Sequence, residues 1–193
     1  CAPAATPTPA AEKGTEGNPL INVFVPSGDV QTITAGGEKL DKFLRENYGI
    51  YTQSSVATSY TAAIEALCAG KADAVWLATL AYVLARDKCG AEVIIMSIRR
   101  GSPTYNGQIL VRTDSDIETV ADLAEAVFAG SHNAAAIALY NGAVDAAATF
   151  VDVRDSLESS FPDIKSKTRV LTTTDPIPND TITVRKDLPA EVV

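Results

Sequence analysis

The apolar pattern of this chain starts at Leu20 and then changes period at regular intervals. LINVFVP, residues 20–26, is a continuous run of apolar and β-branched residues closed by a proline, which predicts a buried strand. The polar turn Ser27-Gly28-Asp29 leads into a helical pattern over Thr32–Tyr48. IYTQSSVAT (50–58) predicts a second strand with weaker alternation. TSYTAAIEALCAGKAD (58–73) predicts an amphipathic helix, with Thr58 or Ser59 as N-cap and Gly70 where a C-cap glycine belongs. ADAVWLA (72–78) predicts a third strand, LAYVLARDKCG (80–90) a helix ended by Gly90, and EVIIMSIRR (92–100) a fourth strand. Strands alternating with helices predict an α/β fold with a largely parallel sheet.

From Gly101 the pattern restarts. GSPTYNGQILVRTDSDI is an extended segment suited to crossing into a second lobe, and Ser115 with Glu118 three residues on predicts a capping box in SDIETVADL. VFAGSHNAAAIALYNGAVDAAATFVDV then predicts strand, turn, Ala-rich helix, a cap at Gly142 and another strand. RVLTTTDPIPNDTITVRKDLP predicts a strand, a Pro-rich turn and a returning strand. One phrase recurs: IEALCAGKADAVWLA and IALYNGAVDAAATF both read helix, glycine cap, aspartate, strand. Two lobes built alike are therefore expected. The divisions are a disordered tether at 1–18, a first lobe at 19–106, a crossing segment at 107–112, a second lobe at 113–179 and a return crossing at 180–193.

Composition and charge narrow the functional classes. The chain is 46% hydrophobic and 21% charged, as in globular proteins, with no apolar run long enough for a transmembrane helix. A formal net charge of −8 argues against nucleic acid, whose binders carry a basic surface. It leaves room for a small anion, which local amides and hydroxyls can hold. A single histidine and the absence of Cys-x-x-Cys spacing argue against a metal centre, and no cofactor is expected.

Residues 1–19, CAPAATPTPAAEKGTEGNP, contain no large apolar side chain and are expected to form a disordered tether. Cys1 ahead of such a stretch has the layout of a mature lipoprotein, with the membrane reached through lipid on Cys1; the alternative is an arbitrary boundary. Cys68 and Cys89, 21 positions apart, are either a disulfide formed outside the cytoplasm or two separate buried thiols.

The stretches VFVPSGD, TSYTAAIEALCAGKADAVWLATLAYVLA, GSPTYNGQILVRTDSDI, VFAGSHNAAAIALYNGAVDAAATF and TDPIPNDTITVRKDLP, in this order, resemble the substrate-binding proteins of phosphate, phosphite and phosphonate ABC importers. The resemblance covers most of Leu20–Pro189. It implies a two-lobed type II periplasmic-binding-protein fold and an extracytoplasmic, lipid-anchored monomer. Such a protein captures a phosphorus oxyanion between its lobes and docks on an ABC permease, with hinge motion about crossings near Leu110 and Ile182. One departure stands out. Between Leu123 and Ala124 the family continues with a strand, a Ser/Thr-rich loop and a helix, and here ETVADL runs directly into AEAVFAGSH. The second lobe is thus expected to be incomplete by one βα unit, and the chain also stops at Val193, where KDLPAEVV opens another helix.

The residues expected at the ligand are Ser27 in the PSG turn, Ser59 and Tyr60 at a helix start, Tyr105 beside Pro103, His132 in AGSHNAA and Asp180 in PIPND. Helix-start amides carry partial positive charge, and hydroxyls donate without adding charge. Asp180 would accept a hydrogen bond from a protonated ligand oxygen or an amine, disfavouring fully ionised sulfate. Asp152 is a weaker candidate for contacting an amino substituent. For each of these the plain alternative is structural: a turn residue, a cap or a packed aromatic. Trp76 and Tyr82 are expected in the core or at its rim. Catalysis is not expected, since Ser131 and His132 are adjacent in one turn and no nucleophile elbow is present. The competing functional class is a sensor or scaffold lipoprotein, or a remnant that has lost ligand binding.

Overall fold

The computed structural model describes residues 12–188. The first sheet is built from β1 (Leu20–Phe24), β2 (Thr52–Val56), β3 (Ala74–Leu77), β4 (Glu92–Met96) and the late strand β8 (Thr181–Val184), in the order β2-β1-β3-β8-β4. β1 pairs in parallel with β2 and β3, whereas β8 runs antiparallel between β3 and β4. The second sheet has three strands, β6 (Ala146–Phe150), β5 (Thr104–Arg112) and β7 (Thr168–Pro178), in the order β6-β5-β7, with both pairings antiparallel. The fold is α/β and two-lobed as expected, and its second lobe carries fewer strands than the first.

Each lobe has its own core. In the first, Val23, Ile64, Leu67, Val75, Leu77 and Ala85 pack between the sheet and the helices α2 (Tyr60–Cys68) and α3 (Thr79–Cys89). Helix α1 (Val30–Tyr48) lies against β2, so closely at Gly37 that a Cβ there would come within 2.8 Å of the Ser54 side chain. In the second, Leu110, Ala136, Leu139, Ala147 and Ile164 pack beneath α4 (His132–Tyr140). A last short helix, α5 (Ile164–Lys167), closes this core ahead of β7. Trp76 is half-buried, stacked on Phe24 with ring centroids 5.2 Å apart, and its indole N–H donates to Asn22 at 3.1 Å. Tyr82 packs at the edge of the first core.

The local signals for the helices in the first lobe are met. Asp29 caps α1 by accepting from the Thr32 amide at 2.8 Å, and Ser59 caps α2 by accepting from Ala62 at 3.0 Å. Gly70 and Gly90 adopt positive φ at the ends of α2 and α3, the conformation for which glycine carries no Cβ penalty. Of the two alternatives for Cys68 and Cys89, the disulfide is present, joining the C-terminal ends of α2 and α3 with Cα atoms 5.5 Å apart.

The expected largely parallel sheet is not found: among the described residues only the pairings of β1 with β2 and β3 are parallel, because β8 returns antiparallel into the first sheet and the second sheet is antiparallel throughout. The structure departs from the sequence pattern in four further places. The tether does not extend to residue 18: within 12–18 the chain turns at Gly14, and Lys13 pairs at 2.6 Å with Asp73, a carboxylate only 2% exposed that also takes Arg185 at 3.0 Å. A buried charge needs such partners, and Lys13 is recruited for that reason. Cys1 and residues 2–11 lie outside the described residues. Second, the capping box uses Thr119 and Asp122, opening a three-residue 3-10 turn, instead of Ser115 and Glu118; the Ser115 hydroxyl accepts instead from the Ile117 amide at 3.2 Å. Third, the run 127–130 forms no strand, and Val127 and Phe128 are 75% and 74% exposed.

Fourth, residues 107–112 do not cross between lobes. They form the middle strand of the second sheet, where Leu110 is fully buried, and Ile182 likewise lies inside β8. The chain passes between the sheets at 97–103 and returns at Asn179-Asp180. These two crossings are stitched together: the Asn179 side chain donates to the Ser97 and Ser102 carbonyls at 3.0 and 2.7 Å, and the Asp180 carbonyl accepts from the Ser97 amide at 2.9 Å. Prolines 176 and 178 are accommodated because β7 is an edge strand.

Candidate functional site

A cleft of about 1140 Å³ opens between the lobes, lined by Tyr60, Leu80 and Leu84 of the first and by Tyr105, Ile109 and His132 of the second. Its two chemical poles are helix starts of matching design. α2 begins Ser59-Tyr60 and α4 begins Ser131-His132, and each serine accepts from the amide three residues on, at 3.0 and 3.2 Å. Extended φ and ψ at both serines, near −155° and 166°, turn the chain sharply into the helix. Each helix thereby presents an aromatic or imidazole ring and its remaining amide donors beside the cleft.

The electrostatics couple these residues. Burial pushes the Tyr60 phenol above its usual range, with the Asp180 carboxylate and Tyr105 adding to the effect. Burial also raises Tyr105, helped by Asp180 and opposed by Arg99. Both phenols therefore stay protonated and serve as neutral donors. Burial lowers the His132 pKa, with Asp180 opposing, so the imidazole is neutral at neutral pH. Its Nδ1 lies 3.1 Å from the Thr149 hydroxyl, and Phe150 packs edge-on with ring centroids 5.2 Å apart. When Thr149 donates to Nδ1, Nε2 carries the hydrogen and is a donor. The arrangement gathers neutral donors and two helix starts, which suits an anion and supplies no activated nucleophile.

The remaining expected residues fall differently. Asp180 acts electrostatically on Tyr60, Tyr105 and His132, but it does not itself line the cleft, and its carboxylate is ion-paired with Arg99. Ser27 sits in the turn after β1, its amide donating to the Val25 carbonyl at 2.8 Å, and does not line the cleft. The Ser59 oxygen is engaged as a helix cap. Asp152 is held by Arg154 through both oxygens, at 2.9 and 2.7 Å, with Gln108 donating to it at 3.2 Å. That pairing, with Arg154 as the main cause, holds the Asp152 carboxyl down to about 2.

The sequence reading passed over Arg99, Thr149 and Phe128. Arg99 is a cation within the crossing at 97–103, and nothing in the sequence separates it from Arg100. Phe128 meets Tyr60 edge-on at 6.4 Å, a contact between the lobes with no sequence signal. Among the described residues no cluster of His, Cys, Asp or Glu could hold a metal ion, and no helix is long and apolar enough to cross a membrane.

A family model described as the periplasmic substrate-binding protein of phosphonate ABC transporters matches residues 23–129 and 122–193, two stretches that overlap across the Leu123–Ala124 junction. Solved structures share the fold. The binding protein component of an ABC phosphonate transporter from Pseudomonas aeruginosa superposes with a TM-score of 0.75 at 21% identity, covering 90% of this chain and 71% of that one. PhnD1 from Prochlorococcus marinus, in complex with methylphosphonate, gives 0.71 at 16%, covering 87% and 76%. The aliphatic sulphonate binding protein SsuA from Escherichia coli gives 0.56 at 18%, covering 86% and 65%. The architecture is the type II periplasmic-binding-protein fold.

Proposed function

The chain belongs to the periplasmic substrate-binding proteins of phosphonate ABC transporters, and from that premise we propose that it captures a phosphorus oxyanion (phosphate, phosphite or a phosphonate) in the cleft beside Tyr60, Tyr105 and His132 and delivers it to an ABC permease. The observation that carries this reading is the convergence of two serine-capped helix starts, one from each lobe, on a cleft where Tyr60, Tyr105 and His132 stand as neutral donors. An oxyanion bridging both poles draws the lobes together, and the stitched crossings at 97–103 and 179–180 are the natural hinge. The methylphosphonate held by the Prochlorococcus relative supports the ligand class.

The family is periplasmic, and the Cys68–Cys89 disulfide accords with an oxidising compartment. Anchoring through Cys1 is part of the same reading and rests on the sequence that follows it; acyl mass on the N-terminal peptide of protein recovered from membranes tests it. The chain acts as a monomer in this scheme.

Melting is measured with phosphate, phosphite, methylphosphonate and sulfate in excess. A ligand at 100 times its Kd adds about 2.7 kcal/mol, a shift of several degrees, and His132→Ala removes it. The three-stranded second sheet favours a second reading, in which docking is retained and ligand capture is lost. No shift with any oxyanion selects that reading and rejects the first.

A further inference from the structure

The carboxylates that the sequence offers to a ligand are both already held by arginines. Arg99, from one crossing, pairs with Asp180 at the other. Arg154 grips Asp152 in a bidentate fork, the strongest guanidinium–carboxylate arrangement, and anchors itself further on the Thr168 carbonyl at 3.1 Å. Of the carboxylates on the cleft wall, Asp122 accepts from the Glu118 and Thr119 amides at 3.1 and 2.8 Å, and Asp145 accepts from Arg112 at 3.4 Å. Glu125 is exposed to water, which screens it.

A ligand ammonium beside Tyr60, Tyr105 and His132 finds the carboxylate coupled to them, Asp180, already paired, and of the described carboxylates on the cleft wall only the water-exposed Glu125 stands without a partner. To reach Asp180 it must displace Arg99, whose freed guanidinium then stands beside it as a like charge. To reach Asp152 it must open the Arg154 fork. An oxyanion lacking an ammonium group meets the opposite situation. The phenols of Tyr60 and Tyr105, the imidazole and the helix amides donate to it, and Arg99 retains further N–H groups beyond the one given to Asp180.

We propose, building on the oxyanion reading above, that the site selects phosphorus oxyanions carrying no ammonium group, and that Arg99 is the residue that sets this preference by occupying Asp180. Arg99 lies outside both cores with a side chain 64% exposed, so its replacement leaves the packing intact.

The test is calorimetric titration of the full chain with ethylphosphonate and 2-aminoethylphosphonate, which differ in the ammonium group, using wild type and Arg99→Gln. Wild type is expected to bind ethylphosphonate about fivefold more tightly, the scale of one partly exposed ion pair. In Arg99→Gln the ratio should fall to one or invert, because Asp180 is released for the ammonium. Equal or tighter binding of 2-aminoethylphosphonate by wild type overturns the proposal, and an unchanged ratio in the variant removes Arg99 as its cause. Failure of wild type to bind either phosphonate, or phosphate, overturns the oxyanion reading itself and this proposal with it, an outcome distinct from binding with the wrong preference.

Discussion

In the first lobe, the strand that follows α2 joins a parallel ladder on one side: β3 pairs with β1, and β1 with β2. In the second lobe, β6 follows α4 through the same helix–glycine–aspartate phrase, yet it is the edge of its sheet. The run 127–130 stands before α4 as β2 stands before α2. It has the composition of a strand and remains irregular, with Val127 and Phe128 largely exposed. The difference lies in hydrogen bonding. β2 reaches its sheet only through β1, and no described strand occupies the place of β1 beside β6. Without a ladder to join, a short apolar run has no partner for its amides, whatever its side chains favour. Among the described residues, strand formation in the second lobe is limited by the lack of a second neighbour beside β6.

If this is correct, the second lobe is the weaker unit. Leu139→Ala should cost about 3 kcal/mol, since Leu139 is fully buried beneath α4. In hydrogen-exchange mass spectrometry the loss of protection should be confined to α4, β5 and β6, with β1 and β3 unchanged. Equal loss in β1 and β3 would mean that the lobes open as one body, and the contrast would collapse.

The disulfide sharpens the contrast from the other side, because it lies wholly in the first lobe. Replacing Cys68 and Cys89 together by serine should lower stability by about 3 kcal/mol, the entropy of closing a loop of this size in the unfolded chain. The loss should appear in α2 and α3 and spare β6. A smaller effect, about 2 kcal/mol, is expected for Gly37→Ala, whose Cβ would meet Ser54 at 2.8 Å and Phe24 at 3.2 Å. Exchange in β1 and β2 reports it.

The same contrast explains what could be read from the chain. The cap at Ser59 and the glycines at 70, 90 and 142 are local signals, and they are where the pattern puts them. Two cleft residues, Tyr60 and His132, are legible because each stands at the start of a helix. Tyr105 and Asp180 were legible through the resemblance, but the state of Asp180 was not, because its partner Arg99 is 81 positions away. Asp73 with Lys13 and Arg185 is equally non-local, so nothing in the local sequence marks residue 13 as held against the first lobe. The strand at 127–130 failed for the converse reason: its local signal is sound, and the partner it requires is absent.

His132 and Tyr60 open corresponding helices, but only His132 titrates near neutrality, so the lobes should differ in their response to pH. Burial depresses the folded-state pKa of His132 below its ordinary 6.5, with Asp180 partly restoring it. The unfolded chain therefore takes up this proton first. Stability linked to His132 is complete above about pH 6.5 and is lost as pH falls toward the depressed folded value, below which the loss is constant. His132→Gln removes this dependence while keeping a side chain able to meet Thr149. Wild type minus His132→Gln stability, from urea melts between pH 7.5 and about pH 5, should fall with acidification. The associated exchange should rise at the start of α4 and leave the start of α2 unaffected. A flat difference would show that burial does not depress the imidazole, and that the second lobe closes around His132 less than its geometry indicates.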